Sequence, residues 1–82
     1  LLFHRRLSDL IAYGEKEVKE AANMGAIKKL LILDKLVSEK ETLLDLVENM
    51  GGEIILISSE HEGGKQLEAL GGIAALLRFK IH

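Results

Sequence analysis

The chain has 82 residues, enough for one domain and too few for two, and a domain of this size buries only roughly 60% of its unfolded surface. A composition of 48% hydrophobic and 29% charged residues excludes a disordered tail; the absence of cysteine excludes disulfides and thiolate metal sites; and no apolar run approaches the roughly 20 residues of a membrane span or forms a secretory leader. The net charge of −2 lacks the basic excess of a domain built to grip phosphate backbones, which favours protein partners over nucleic acid.

In chain order, Leu1–Leu7 reads as the last turns of a helix, broken at Ser8-Asp9, and Leu10–Tyr13 as a short strand ending at Gly14. From Glu15 the spacing turns helical, with Val18, Ala21 and Ala22 on one face and a stop at Met24-Gly25. Glu15 and Glu17 suit the positive end of this helix, and the small Ala21 and Ala22 permit close approach to a sheet. Lys28–Leu33 carries a continuous apolar run, the pattern of a strand covered on both faces. Ser38-Glu39-Lys40-Glu41 has capping-box spacing and opens a helix with an apolar stripe of Leu43, Leu44, Leu46, Val47 and Met50, closed by Gly51-Gly52.

Ile54–Ile57 is the next strand, and the Lys28–Ser58 unit has the length of a right-handed crossover, so its two strands are expected to be parallel neighbours. Ser59-Glu60-His61-Glu62 is a second capping box that predicts a helix start at Glu60 or His61, with a stop at Gly71-Gly72. Ile73–Leu77 is the last strand, and Arg78, Phe79 and Lys80 continue its alternation. The fold class is α/β: a three-layer α-β-α sandwich around a mixed sheet of about four strands, without internal repeats. The first residue is Leu, and residues 1–82 are read as a single domain of a longer protein.

Few residues suggest chemistry. His61 with Glu60, Glu62 and Gln66 is the most site-like cluster, but no second histidine stands at i+4 and carboxylates are ordinary in a first helical turn. Capping and partner recognition account for it better than a metal or proton transfer. Gly63-Gly64-Lys65 lacks the upstream glycine and following Ser/Thr of a phosphate-binding loop, so it reads as a tight turn packed on the sheet. Ser58 and Ser59 have no histidine and acid at triad spacing. Arg78 is either a partner contact or half of a structural ion pair. No cofactor site, metal site or catalytic residue is expected.

Two blocks carry a family resemblance: Tyr13 through Asp34, and Ser58 through Ile81. The segment Gly71 to Phe79, Gly-Gly-Ile-Ala-Ala-Leu-Leu-Arg-Phe, resembles the C-terminal domains of the archaeal Pelota family of ribosome-rescue factors and of its paralogue, the class-1 peptide-release factors. His61, Gly64, Gln66 and Leu67, in the order H-x-x-G-x-Q-L, favour Pelota. The resemblance implies the fold of the kink-turn-binding ribosomal proteins and a non-catalytic, cytoplasmic docking domain, the third of its parent. The implied partners are an elongation factor one-alpha-type GTPase, the ribosome-recycling ATP-binding-cassette protein, and the ribosome through the parent.

The residues offered for partner contact are Glu15, Lys16, Lys19, Glu20 and Asn23 on the first full helix, His61, Glu62 and Lys65 at the last helix start, and Arg78. The alternatives are a release-factor domain and, in another class, a kink-turn RNA-binding protein. Against the latter, Lys16 and Glu20 replace the Asn and Lys of the G-x-N-E-x-x-K pattern, which removes a base-reading amide and reverses a phosphate-contacting charge.

Overall fold

In the structure, a computed structural model that describes residues 10–79, the apolar runs of the sequence become the strands of one sheet. The elements are β1 (Ile11–Tyr13), α1 (Gly14–Asn23), β2 (Ile27–Leu33), a 3-10 helix (Asp34–Glu39), α2 (Glu41–Asn49), β3 (Glu53–Ile57), α3 (Glu62–Ala69) and β4 (Ile73–Leu77). The expectations for Leu1–Asp9, His4, Lys80 and His82 lie outside the described residues. Among those described, no helix is long and apolar enough to cross a membrane.

The four strands lie in the order β1-β4-β2-β3. β4 is antiparallel to both β1 and β2, and β2 is parallel to β3 with Leu30 opposite Ile54 and Ile32 opposite Leu56. The expected parallel crossover is therefore present, in a mixed sheet. Successive side chains on a strand face opposite ways, and each face has its own core. Leu30, Ile32, Ile73, Ala75 and Leu77 pack with Val18, Ala21 and Ala22 of α1 and Leu44 and Val47 of α2. Leu33 and Ala74 pack on the other face with Leu67 of α3. Burying a Val, Leu or Ile of this set contributes roughly 1.5–3 kcal/mol each, and Val18, Ile27, Leu30, Ile32, Leu33, Val47, Leu67 and Ile73 are fully buried.

The two lysines that open β2 sit at a bulge. Ile27 pairs with Leu77 and Lys29 with Leu76, so Lys28 is the extra residue. The bulge lets both Ile27 and Leu30 point into the core although they are three residues apart, an odd spacing that a regular strand forbids. The strand consequently begins at Ile27, one residue before the sequence expectation.

Among the described residues all three α-helices end in the same hydrogen-bonded turn. Gly25, Gly51 and Gly71 have φ of +67°, +85° and +102°. Beyond them, Ala26 N–H donates to Ala21 O at 3.0 Å, Gly52 N–H to Val47 O at 2.9 Å, and Gly72 N–H to Leu67 O at 2.8 Å. This is the Schellman arrangement, and the left-handed residue it requires is why glycine recurs there. Each helix is thereby reversed into its strand within a few residues.

The helix starts depart from the capping-box expectation. Neither Ser38 nor Ser59 caps: α2 starts at Glu41 behind Lys40, and α3 at Glu62 behind His61, with no side-chain cap at either. Ser38 is instead part of the 3-10 helix, which leads to α2 through the Lys40 N–H to Val37 O bond. Ser59 is held by its own N–H, which donates to Asp34 Oδ1 at 3.3 Å, and Ser58 Oγ accepts from Glu60 N–H at 3.3 Å.

What fixes the entry of α3 is contact with Gly64. A Cβ there would stand 1.9 Å from Ser58 O, and that atom belongs to backbone that cannot swing aside. At the adjacent Gly63 a Cβ would meet nothing within 4 Å. Gly64→Ala is expected to destabilise the domain by about 3 kcal/mol, the upper end of overpacking. Gly63→Ala is expected to stabilise it by up to about 1 kcal/mol through helix propensity. Urea denaturation of the two variants side by side checks both signs.

Candidate functional site

Because Val18, Ala21 and Ala22 turn α1 inward, its other face is solvent-facing: Glu15, Lys16, Lys19, Glu20 and Asn23 are all exposed. Glu15, Lys19 and Asn23 recur every four residues and form one row along the helix. That row is one wall of a groove of about 250 Å³, whose other wall is Glu39, Lys40, Thr42, Leu43 and Leu46 at the start of α2. Lys40 Nζ lies 2.8 Å from Glu15 Oε1 and ties the two walls together.

The groove lining is balanced in charge, with Glu15 and Glu39 beside Lys19 and Lys40. The Lys40 hydrogen bond and charge hold the Glu15 carboxyl below its ordinary value of 4.5, and Lys19 adds to this. Glu17, the acid that matches the kink-turn pattern, is turned back along its own helix, where Oε2 accepts the Tyr13 N–H at 3.0 Å. Its carboxylate serves the helix start.

His61, Glu62 and Lys65 are exposed at the start of α3. This end of the domain is braced by the Ser59–Asp34 bond and by an ion pair between Lys35 and Glu68. α1 and α3 belong to the cores of opposite sheet faces, so the structure does not bring the two predicted patches together.

Arg78 is exposed at its surface, but β4 ends at Leu77 and the arginine turns back on the fold. Its Nε donates to Ile27 O at 3.1 Å and its Nη2 to Met50 O, the carbonyl that ends α2, at 2.9 Å. It works as a clamp on carbonyls; no ion pair joins it to a carboxylate among the described residues.

Among the described residues no polar or charged side chain is buried, and no group of three or more His, Asp or Glu is arranged for a metal. Such a surface can recognise charge, shape and hydrogen bonds. The sequence offered the α1 row, and the structure sets beside it Glu39, Lys40, Thr42, Leu43 and Leu46, which the sequence reading did not offer. The available signal was the excess of leucine in α2, since Leu43, Leu44, Leu46 and Val47 cover a wider arc than one sheet contact can bury.

Lys40→Ala is expected to raise the Glu15 pKa toward 4.5, read from carboxyl chemical shifts in a pH titration. A depressed folded pKa stabilises above the unfolded value, and that contribution is lost as pH falls through the folded one. The variant should therefore lose part of the chain's stability dependence on pH just below 4.5. Arg78→Ala removes two charge-assisted bonds and is expected to lower stability by about 1.5 kcal/mol, measured by thermal unfolding.

The eRF1 domain 3 family model matches residues 3–81. The protein pelota homolog of Methanothermobacter thermautotrophicus is 63% identical over 76 residues, which are 90% of this chain and 22% of that protein. A solved model of ribosome-bound archaeal Pelota and ABCE1 superposes with a TM-score of 0.83 at 51% identity, covering 94% of this chain and 23% of that one. Saccharomyces cerevisiae Dom34, a termination-like factor of RNA quality control that interacts with Hbs1, gives a TM-score of 0.83 at 40% identity, with 89% and 22% covered. The chain thus spans less than a quarter of the length of these relatives. It belongs to the eRF1 domain 3 family, in its archaeal Pelota branch.

Proposed function

We propose that this chain is a non-catalytic protein-docking domain, the C-terminal third domain of a longer cytoplasmic ribosome-rescue factor. In this reading it binds a translational GTPase of the elongation-factor type and the ribosome-splitting ATP-binding-cassette protein, and it reaches the ribosome through its parent. One observation carries the reading. Its charged side chains are displayed outward in two braced patches, on a fold it shares with chains described as ribosome-bound with ABCE1 and as interacting with Hbs1.

Direct RNA contact has less support. The exposed α1 face presents Lys16 and Glu20 where a kink-turn reader needs a base-reading amide and a phosphate-contacting cation, and the chain as a whole is net negative.

Calorimetric titration with archaeal elongation factor one-alpha, loaded with GTP or GDP in turn, is expected to give saturable binding that favours the GTP form. Titration with the recycling ATPase is expected to give a second saturable isotherm. Charge reversal of Lys16 with Lys19, and separately of Glu62 with Lys65, is expected to weaken GTPase binding by about tenfold. Unchanged affinity in both double variants, with intact amide spectra, would remove both patches as the GTPase site.

A further inference from the structure

β3 is a strongly apolar strand that the fold leaves largely uncovered. Ile54, Ile55, Leu56 and Ile57 are all at least partly exposed, Leu56 by 60%, whereas β1, β2 and β4 each carry buried residues. Among the described residues its one ladder is with β2, and no other hydrogen bond engages residues 53–57. A row of its backbone N–H and C=O groups therefore faces outward. α3 lies over β2 and β4, so Ile55 and Ile57 stand at the open margin of that face of the sheet.

The other face of this edge is overhung by charge. Leu44 and Val47 of α2 point at the sheet, and Thr42, Leu43 and Leu46 line the groove toward α1. By helical period Glu41, Asp45 and Glu48, at i, i+4 and i+7, fall on the flank opposite that groove. α1 lies over β1 and β4 and α2 over β3, the last strand in the order, so the acidic flank stands above the free edge. All three acids are exposed, and among the described residues no ion pair engages them. Their row is roughly 10 Å long, close to the roughly 13 Å between the ends of a five-residue strand. Beneath it lie Ile54 and Leu56, which share the α2 face with their partners Leu30 and Ile32.

We propose that β3 accepts an extended basic segment of a protein partner as an added edge strand. Alternate Lys or Arg side chains lay their aliphatic stems on Ile54 and Leu56 and carry their charges to Glu41, Asp45 and Glu48. The intervening side chains lie beside Ile55 and Ile57, where β-branched residues pack best. A second copy of this chain is a poor occupant. Two-fold antiparallel pairing through β3 keeps both α2 helices on one face of the joined sheet and sets one acidic row against the other. The inference rests on the docking-domain reading and adds a surface separate from the α1 and α3 patches.

The test uses the chain labelled for amide spectra and a blocked synthetic peptide in which Lys and Val alternate. One control carries Glu in place of Lys. The other has two adjacent central residues changed to Pro, which removes a ladder donor in either register. Saturable binding of the Lys peptide is expected, with shifts centred on β3 and α2 and slowed hydrogen exchange within residues 53–57. Leu56→Lys, and separately Glu41→Lys with Asp45→Lys and Glu48→Lys, should each weaken it by about tenfold. These variants change exposed side chains only, and their amide spectra verify the fold. Charge reversal of Glu62 with Lys65 conserves net charge and should leave peptide affinity unchanged, although it is expected to weaken the GTPase.

Equal binding of either control peptide, shifts centred away from β3, absence of saturation, or unchanged affinity in both edge variants overturns the proposal. So does self-association through β3 that the Lys peptide does not displace. Each of these leaves the GTPase titration standing on its own result, so the two readings fail separately.

Discussion

Everything in this domain depends on the insertion of β4 between β1 and β2. Among the described residues β1 has no other partner, and β2 and β3 form a parallel pair that reaches β1 only through β4. The ladder is extended at both ends of the strand: Leu33 N–H donates to Gly72 O at 3.1 Å, and Arg78 N–H to Ala26 O at 2.7 Å. β4 is also loaded on both faces, with Ile73, Ala75 and Leu77 under α1 and α2 and Ala74 under α3. The alanines are what permit this. Larger side chains at the centre of a sheet covered on both sides would push one helix layer away and open voids elsewhere in a close-packed interior.

From that frame the surface chemistry follows. α1 stands close to the sheet on Ala21 and Ala22, α2 and α3 are anchored by Leu44, Val47 and Leu67, and the reversals of all three are fixed by the glycine turns, so their outer rows are held at defined positions. The Glu15–Lys40 pair then sets the spacing of α1 and α2 at one end. As an exposed pair it contributes little to stability. A surface of this kind loses little conformational freedom when a partner settles on it, which is how a small domain achieves useful affinity without a deep pocket.

Much of this was legible in the sequence, for physical reasons that differ by element. The strands were readable because Leu30–Leu33, Ile54–Ile57 and Ile73–Leu77 are apolar runs bounded by glycine or polar residues. The helix stops were readable because only glycine tolerates the left-handed turn at low cost. The helix starts were not. Ser38 and Ser59 carry the right spacing, but a 3-10 helix and the Asp34 carboxylate use those segments first. The bulge at Lys28 was hidden because two adjacent lysines look like a strand boundary. At the site, exposure of the α1 row followed from its helical period. The opposite wall was signalled only by the surplus of leucine in α2, because which element stands against that face depends on how two helices lie against each other. Arg78 read as either a partner contact or half of an ion pair because the carbonyls it binds, those of Ile27 and Met50, are distant in sequence.

The outer side of β3 has a further consequence. Among the described residues this strand pairs only with β2, and Leu56 is 60% exposed. Its sequence, Glu-Ile-Ile-Leu-Ile, has one charged residue, no proline, and a strong preference for extended backbone. An edge of this composition is a template for further strands. Glu53 is the charged residue placed to act as a gatekeeper on this edge, and the strand is only five residues long. The sheet that carries both helix layers thus has, among the described residues, an open edge strand whose own charge is a single carboxylate.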